Sequence, residues 1–180
     1  MSKSRKQLQT ERLTAFEEVV KHYEAALLRY VARLVNNSDI TQDIVQNTFI
    51  RLFRKWQDEM VVSANISSWL YRVAHNCAID YMRKETRRRE LHEKHAKERP
   101  TFAPPDRGQG FRITEAAAQA SEALQTLSER ERQLVVLKVY EEKSYKEISE
   151  ITDLSVSNVG YILHHAMKKM AAHLKSAKAI

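Results

Sequence analysis

Apolar residues recur every three or four positions along most of this chain, in two blocks separated by a stretch without such spacing. The pattern starts at Phe16, Val19, Val20 and Tyr23, and this spacing places apolar side chains on one face of an α-helix. Only three glycines and three prolines occur in 180 residues, too few for the turns of a sheet sandwich or barrel. The sequence therefore predicts an all-α protein of two small helical domains joined by a flexible linker.

Three helices are expected in the first block. The first should end near Asn36, and the second should begin at Ser38 or Asp39, which can cap its free N–H groups, with Gln42 reaching back in a capping box. A third helix is expected to begin at Ser67. The apolar positions expected to bury these last two helices are Ile40, Ile44, Val45, Phe49, Leu52, Phe53, Trp56, Trp69, Leu70, Val73 and Cys77.

The second block contains two capping-box patterns, in each of which a serine precedes a glutamate by three positions. The pairs are Ser128 with Glu131 and Ser144 with Glu147. After the second box the sequence predicts a short helix, a turn at residues 152–154 and a longer helix starting near Ser155. Short helix, tight turn and longer helix are the spacing of a helix-turn-helix.

Two prolines and two glycines collect between Thr101 and Gly110, where apolar periodicity is absent. Such composition is typical of a linker. We therefore predict a first domain at residues 10–96, a linker at 97–113 and a second domain at 114–180.

The charge of the chain favours a polyanionic partner. Lys and Arg total 30 against 23 Asp and Glu, which gives a formal net charge of +7, and residues 83–89 read RKETRRR. A basic balance of this kind suits nucleic acid.

Several other classes of protein find no support in the sequence. Cys77 is the single cysteine, so neither an internal disulfide nor a cysteine-based zinc site can form, and His92 and His95 lack further ligands at metal-site spacing. No apolar run approaches the roughly 20 residues of a membrane span. We expect no metal, no cofactor and no membrane insertion, with the cytoplasm as the compartment.

Two stretches of the first block, residues 39–56 and 66–89, resemble region 2 of the extracytoplasmic-function (ECF) sigma factors: DITQDIVQNTFIRLFRKW and ISSWLYRVAHNCAIDYMRKETRRR. Residues 124–170 resemble region 4 of the same family, including its helix-turn-helix: LQTLSERERQLVVLKVYEEKSYKEISEITDLSVSNVGYILHHAMKKM. The resemblance implies a non-catalytic subunit that binds core RNA polymerase and directs it to promoter DNA. It also implies possible control by an anti-sigma factor or a recruiting factor.

The resemblance implies three sets of contact residues. Core polymerase would be bound by Asp39, Asp43, Gln46, Asn47, Phe49 and Leu52. The minus-ten region of the promoter would be bound by Asn65, Ser67, Ser68, Arg72, Asn76, Arg83, Lys84 and Arg87. The minus-thirty-five element would be bound by Ser155, Ser157, Asn158, Tyr161, His164, His165 and Lys168.

The sequence departs from the family at three of its positions. Acidic residues are usual where Gln42 and Asn47 stand, and a basic residue is frequent where Gly160 stands. No arginine occurs on the last helix, so recognition of guanine by a bidentate arginine is excluded there.

Other functions fit the sequence less well. A helix-turn-helix regulator that acts without polymerase would use residues 114–180 for DNA and the first block for dimerisation. An adaptor of the anti-sigma kind would bind only proteins. An enzyme such as a nuclease finds no support, because the chain has no phosphate-binding glycine loop, carboxylate cluster or nucleophile–base pair.

Overall fold

The structure, a computed structural model, describes residues 5–56, 66–95 and 115–177, and within these ranges every regular element is helical. The helices are α1 (Arg5–Val35), α2 (Ser38–Trp56), α3 (Ile66–His95), α4 (Glu115–Gln125), α5 (Glu129–Val135), α6 (Tyr145–Thr152) and α7 (Val156–Ala177), with a π-helical turn at Val136–Tyr140 directly after α5. The predicted all-α fold is confirmed. No helix in the described ranges is long and apolar enough to cross a membrane.

The chain divides into two units between Met82 and Arg83, a point within α3. The predicted linker, at 97–113, lies outside the described residues. The domain limits at 96 and 114 thus remain predictions.

A two-residue connection joins α1 to α2, and its geometry corrects the predicted helix cap. Asn36 adopts a left-handed conformation (φ 49°), and the Asn37 side-chain oxygen accepts a hydrogen bond from the Ile40 N–H at 3.0 Å. Asn37 is therefore the capping residue, rather than Ser38 or Asp39. With the cap at Asn37, Gln42 is not at the third helical position, so the predicted capping box is wrong.

The core of the first unit is built from the facing sides of α1, α2 and α3. Its fully buried apolar side chains are Leu27, Tyr30, Val31, Leu52, Leu70, Ala74 and Ala78. An aromatic cluster joins the outer ends of α1 and α2, where the Phe16 ring meets Phe53 and Trp56 edge-on at 5.2 and 5.8 Å between centroids. The Trp56 indole N–H also donates to the Arg12 carbonyl at 3.1 Å. Aromatic and apolar packing therefore fixes α2 against α1.

Both predicted capping boxes of the second unit are present. The Ser128 hydroxyl accepts from the Glu131 N–H at 3.3 Å, and the Glu131 carboxylate accepts from the Ser128 N–H at 2.9 Å. The same exchange joins Ser144 and Glu147, at 3.2 and 2.8 Å. The four residues set the starts of α5 and α6 within short, local stretches of sequence.

The predicted helix-turn-helix is confirmed as α6, a turn and α7. Asp153 ends α6 in a left-handed conformation (φ 59°, ψ 33°), which reverses the chain before α7 begins at Val156. The Ser155 hydroxyl accepts from the Asn158 N–H at 3.2 Å, so Ser155 lies just before the helix as its cap. The core behind α6 and α7 contains Leu134, Val135, Val136, Leu137, Ile148, Ile151, Val159, Leu163 and Ala166.

Candidate functional site

One side of α2 carries the four polar residues predicted to bind core polymerase. Asp39, Asp43, Gln46 and Asn47 are all exposed, because the apolar positions between them turn toward α1. The Asn47 amide donates to the Asp43 carbonyl at 2.9 Å, which restrains the Asn47 side chain along the helix. This polar face can offer hydrogen bonds and negative charge to a partner protein.

The two apolar residues predicted for the same contact need correction. Leu52 exposes 0% of its surface and Phe49 is also buried, so neither side chain can reach a partner while the domain is folded. Ile50 and Phe53 are instead the exposed large apolar residues of α2. The sequence placed Phe49, Leu52 and Phe53 on one apolar stripe, and helical spacing alone does not show that Phe53 is the member at its exposed edge.

The polar face of α3 contains most of the predicted minus-ten residues. Arg72 and Asn76 are exposed and stand one helical turn apart, and Ser67 and Ser68 are half-buried in the first turn. Arg83, Lys84 and Arg87 are exposed further along the helix. Asn65 lies outside the described residues. The arrangement places an amide, a guanidinium and a basic segment along one continuous helix.

A buried histidine lies directly before Asn76 in the sequence and was not singled out by sequence reasoning. His75 is buried, and its Nδ1 is 2.8 Å from the Tyr30 hydroxyl of α1. Burial removes water from the ring and lowers the pKa of His75 from 6.5 to about 4. A neutral imidazole bonded to α1 fixes the rotation of α3, and with it the direction in which Asn76 faces.

Trp69 was predicted to belong to the core, but it is only half-buried. The Lys55 ammonium lies 5.5 Å from the centroid of its ring, a distance suited to a cation–π contact. The indole is thus partly exposed, with a basic side chain over its ring.

All seven residues predicted to bind the minus-thirty-five element lie on the exposed surface at the start and along the outer side of α7. Val159, Leu163 and Ala166 are buried on the inner side, which leaves the opposite side to solvent. The exposed residues are Ser155, Ser157, Asn158, Tyr161, His164, His165 and Lys168.

Two rings lie against each other on this outer side. The Tyr161 and His165 rings are 4.4 Å apart between centroids, and Tyr161 is 65% exposed. Val156, expected on the apolar face, is 48% exposed instead. It stands at the first helical position of α7, at the end of the apolar stripe that contains Val159 and Leu163.

A partly buried ion pair, which sequence reasoning missed, connects α7 to the start of α5. The Lys169 ammonium lies 2.7 Å from the Glu131 carboxylate. This hydrogen bond, together with those from Ser128, lowers the pKa of Glu131 below its usual range. Lys169 is therefore engaged within the domain, whereas the neighbouring Lys168 faces solvent.

Among the described residues, no three His, Cys, Asp or Glu side chains are grouped closely enough to hold a metal ion. The exposed groups of α2, α3 and α7 are amides, hydroxyls, charged side chains and aromatic rings. Such groups can bind protein, phosphate and base edges.

Family comparisons match both parts of the chain. The family described as Sigma-70 region 2 matches residues 19–88, and the family described as Sigma-70, region 4 matches residues 117–170. Among curated relatives, RNA polymerase sigma-E factor of Streptomyces avermitilis is 29% identical over 163 residues, covering 89% of this chain and 86% of the relative. ECF RNA polymerase sigma factor SigW of Bacillus subtilis is 28% identical, covering 89% of each chain.

Two solved structures share the fold of this chain. The sigma factor RpoE of Bartonella quintana, in complex with the anti-sigma factor NepR, is 20% identical with a TM-score of 0.65, covering 89% of this chain and 97% of that chain. CnrH, in complex with the cytosolic domain of CnrY, is 22% identical with a TM-score of 0.64, covering 91% of this chain and 90% of that chain. At these identities the likeness shows a common fold.

Proposed function

We propose that separate surfaces of this chain perform separate steps of promoter recognition. The basis for this is that the chain belongs to the ECF-type sigma factors of the sigma-70 family. The protein binds core RNA polymerase and directs transcription initiation, and the family is not catalytic. The match to region 2 sets aside a regulator that acts without polymerase. The main support for this assignment of steps is that α2, α3 and α7 each expose a polar face, and that the three faces differ in chemistry.

The polar face of α2 is proposed to bind core polymerase. Asp39 and Asp43 supply negative charge, and Gln46 and Asn47 supply uncharged hydrogen-bonding groups. The charges on such a face orient the approaching partner and raise the rate of association. Ile50 and Phe53, exposed beside it, are proposed to supply the apolar contact in place of Phe49 and Leu52.

The polar face of α3 is proposed to bind the minus-ten region after strand separation. An unstacked base needs hydrogen-bonding edges and flat or cationic surfaces. Asn76 offers a hydrogen-bonding edge and Arg72 a flat cationic surface. Ser67 and Ser68 add hydroxyl groups at the start of the same helix. Asn65 stays a sequence-based member of this set.

The basic segment of α3 is proposed to hold phosphates. Arg83, Lys84 and Arg87 are exposed, and cations of this kind add affinity that falls with salt but carries no sequence information. Base recognition along α3 is thereby left to the amide and hydroxyl groups nearer its start.

The outer side of α7 is proposed to lie in the major groove of the minus-thirty-five element. In a helix-turn-helix the first turns of the second helix reach base edges, and here these turns carry Ser155, Ser157 and Asn158. An asparagine can pair with the N6 and N7 positions of adenine. Tyr161, His164, His165 and Lys168 continue the same surface along the groove.

Control by an anti-sigma protein is proposed on the likeness of fold to RpoE and CnrH. RpoE is bound to the anti-sigma factor NepR, and CnrH is bound to the cytosolic domain of CnrY. A partner that covers α2 or α7 would prevent the corresponding step of initiation. We propose the cytoplasm as the compartment in which the chain meets polymerase and promoter.

The test is reconstituted run-off transcription with bacterial core polymerase and a pool of promoter fragments from the source genome. Capture of core polymerase, binding of duplex DNA and strand opening are measured separately in the same preparation. We expect substitutions on α2 to impair capture, those on α3 to impair opening and those on α7 to impair duplex binding. Equal losses at all three steps from a substitution on any one surface would contradict this division.

A further inference from the structure

Three large apolar side chains of α7 are exposed, Val156, Tyr161 and Met167, and the first two of these lie in its first two turns. Val156 is 48% exposed and Tyr161 is 65% exposed, whereas Val159 and Leu163 already fill the core behind the helix. Burying an apolar side chain lowers the free energy, and for an exposed side chain this gain is available only when a partner covers it. These two residues are therefore candidates for a contact made only in the complex with DNA.

The remaining chemistry of α7 limits which base edges it can recognise. Arginine paired with guanine is the commonest specific contact in the major groove, and residues 156–177 contain no arginine. Among the four bases, thymine alone presents an apolar group in the major groove, its C5-methyl. An apolar side chain that enters this groove consequently has one kind of apolar partner.

The conformational freedom of both side chains is restricted before DNA binds. Val156 is β-branched and lies in a helix, where one side-chain rotamer predominates. The Tyr161 ring rests against the His165 ring, with 4.4 Å between centroids. Such preorganisation lowers the entropy lost when a contact forms.

We propose that Val156 and Tyr161 are specificity-determining residues that contact thymine C5-methyl groups in the minus-thirty-five element. The helix would then select its site by the positions of thymines, together with an adenine opposite Asn158. This inference rests on the proposed placement of α7 in the major groove. It assigns Val156 a role that the sequence pattern had given to the core.

The experiment uses the complete chain bound to core polymerase and a promoter fragment found by run-off transcription. Each thymine of the upstream element is replaced in turn by deoxyuridine, which removes the C5-methyl and leaves the base-pairing groups unchanged. One buried methyl corresponds to about a threefold to fivefold change in affinity. We expect a loss of that size at one or two positions and no change at the others.

Protein variants identify which side chain contacts each thymine methyl group. Val156→Ala and Tyr161→Ala should bind the unmodified promoter more weakly, and each should remove the response to deoxyuridine at one position. Tyr161→Phe should keep the response, because the ring and not the hydroxyl makes the contact. Val139→Ala is the matched control, since Val139 is 50% exposed in the same unit but lies outside α7.

Two further outcomes would count against the inference in distinguishable ways. If the element is bound specifically but every deoxyuridine is tolerated, or if both alanine variants keep the wild-type response, the methyl contacts are refuted while the placement of α7 stands. If substitution of whole base pairs upstream has no effect on binding, the placement of α7 is refuted, and the methyl contacts with it.

Discussion

The Tyr30 hydroxyl and the His75 imidazole meet inside the first unit, 2.8 Å apart and 45 residues apart in sequence. The bond joins α1 to α3 and gives the buried ring nitrogen a polar partner, so that little of its hydrogen-bonding capacity is lost on folding. Two consequences of this pair can be measured, one through pH and one through substitution.

The first prediction concerns acid stability. The folded-state pKa of His75 is about 4, below its usual value of 6.5, because burial disfavours the charged ring. The unfolded chain therefore binds more protons between these values, and stability present above pH 6.5 is lost as the pH falls toward 4. We expect the free energy of unfolding of the first unit to fall by about 2 kcal/mol between pH 7 and pH 5 from this group. Urea unfolding at several pH values measures it, and an NMR titration of His75 with a midpoint near 6.5 would contradict it.

The second prediction concerns the hydroxyl itself. Tyr30→Phe removes the partner of a buried imidazole and keeps the shape of the core, so we expect a loss of about 1–3 kcal/mol in the free energy of unfolding. Tyr23→Phe, at a half-buried position of the same helix, is the control and should cost less. A Tyr30→Phe variant as stable as the parent protein would show that the bond contributes nothing.

The third prediction tests the surface of α2. Asp43→Arg reverses a charge on an exposed polar face, so we expect at least a tenfold weaker capture of core polymerase with an unchanged circular dichroism spectrum. Loss of that size corresponds to about 1.4 kcal/mol. Glu24→Arg makes the same charge change at an exposed site on α1 and should leave capture within twofold of the parent. Equal effects of the two substitutions would mean that net charge alone governs binding.

The fourth prediction separates strand opening from polymerase binding. Asn76→Ala removes an exposed amide from α3 without touching the core, so we expect slower open-complex formation and nearly normal capture of core polymerase. Permanganate reactivity of unpaired thymines measures opening, and co-purification measures capture. Gln125→Ala, an exposed amide in the second unit, is the control. If opening by Asn76→Ala is as fast as in the parent, the proposed base contact is wrong.

The fifth prediction concerns the glycine within α7. A Cβ added at Gly160 would lie 3.5 Å from Cε2 of Tyr145, an ordinary van der Waals distance, so alanine fits there. Glycine inside a helix is less favourable than alanine, and we expect Gly160→Ala to stabilise the second unit by about 0.5–1 kcal/mol. Hydrogen exchange of α7 amides measures this. Ala171→Gly, at an exposed position of the same helix, should have the opposite effect, and destabilisation by Gly160→Ala would show that the Tyr145 contact is tighter than described.

Local patterns in the sequence predicted much of the second unit correctly. The boxes at Ser128 and Ser144 and the turn before Ser155 depend on hydrogen bonds between residues no more than three or four positions apart, which a sequence shows directly. The cap at Asn37 was missed because Asn37, Ser38 and Asp39 are all good capping residues. The left-handed conformation of Asn36 decided among them, and no pattern in the sequence specified it.

Contacts between distant segments could not be predicted in this way. The bonds of His75 to Tyr30 and of Lys169 to Glu131 span 45 and 38 residues, and helical periodicity contains no information on such pairs. Periodicity also leaves the width of an apolar stripe open. Phe53 and Val156 lie at its edge or end, where only the packing of neighbouring helices determines that they are exposed.

The π-helical turn after α5 affects how this chain should be aligned with its relatives. Within it the Glu141 N–H bonds to the Val136 carbonyl, five residues earlier, at 3.2 Å, whereas an α-helix bonds four residues back. A relative with a regular helix here would reach its helix-turn-helix one residue sooner. An alignment with such a relative would need a gap between residues 136 and 141 to pair Val156 and Tyr161 with their structural equivalents.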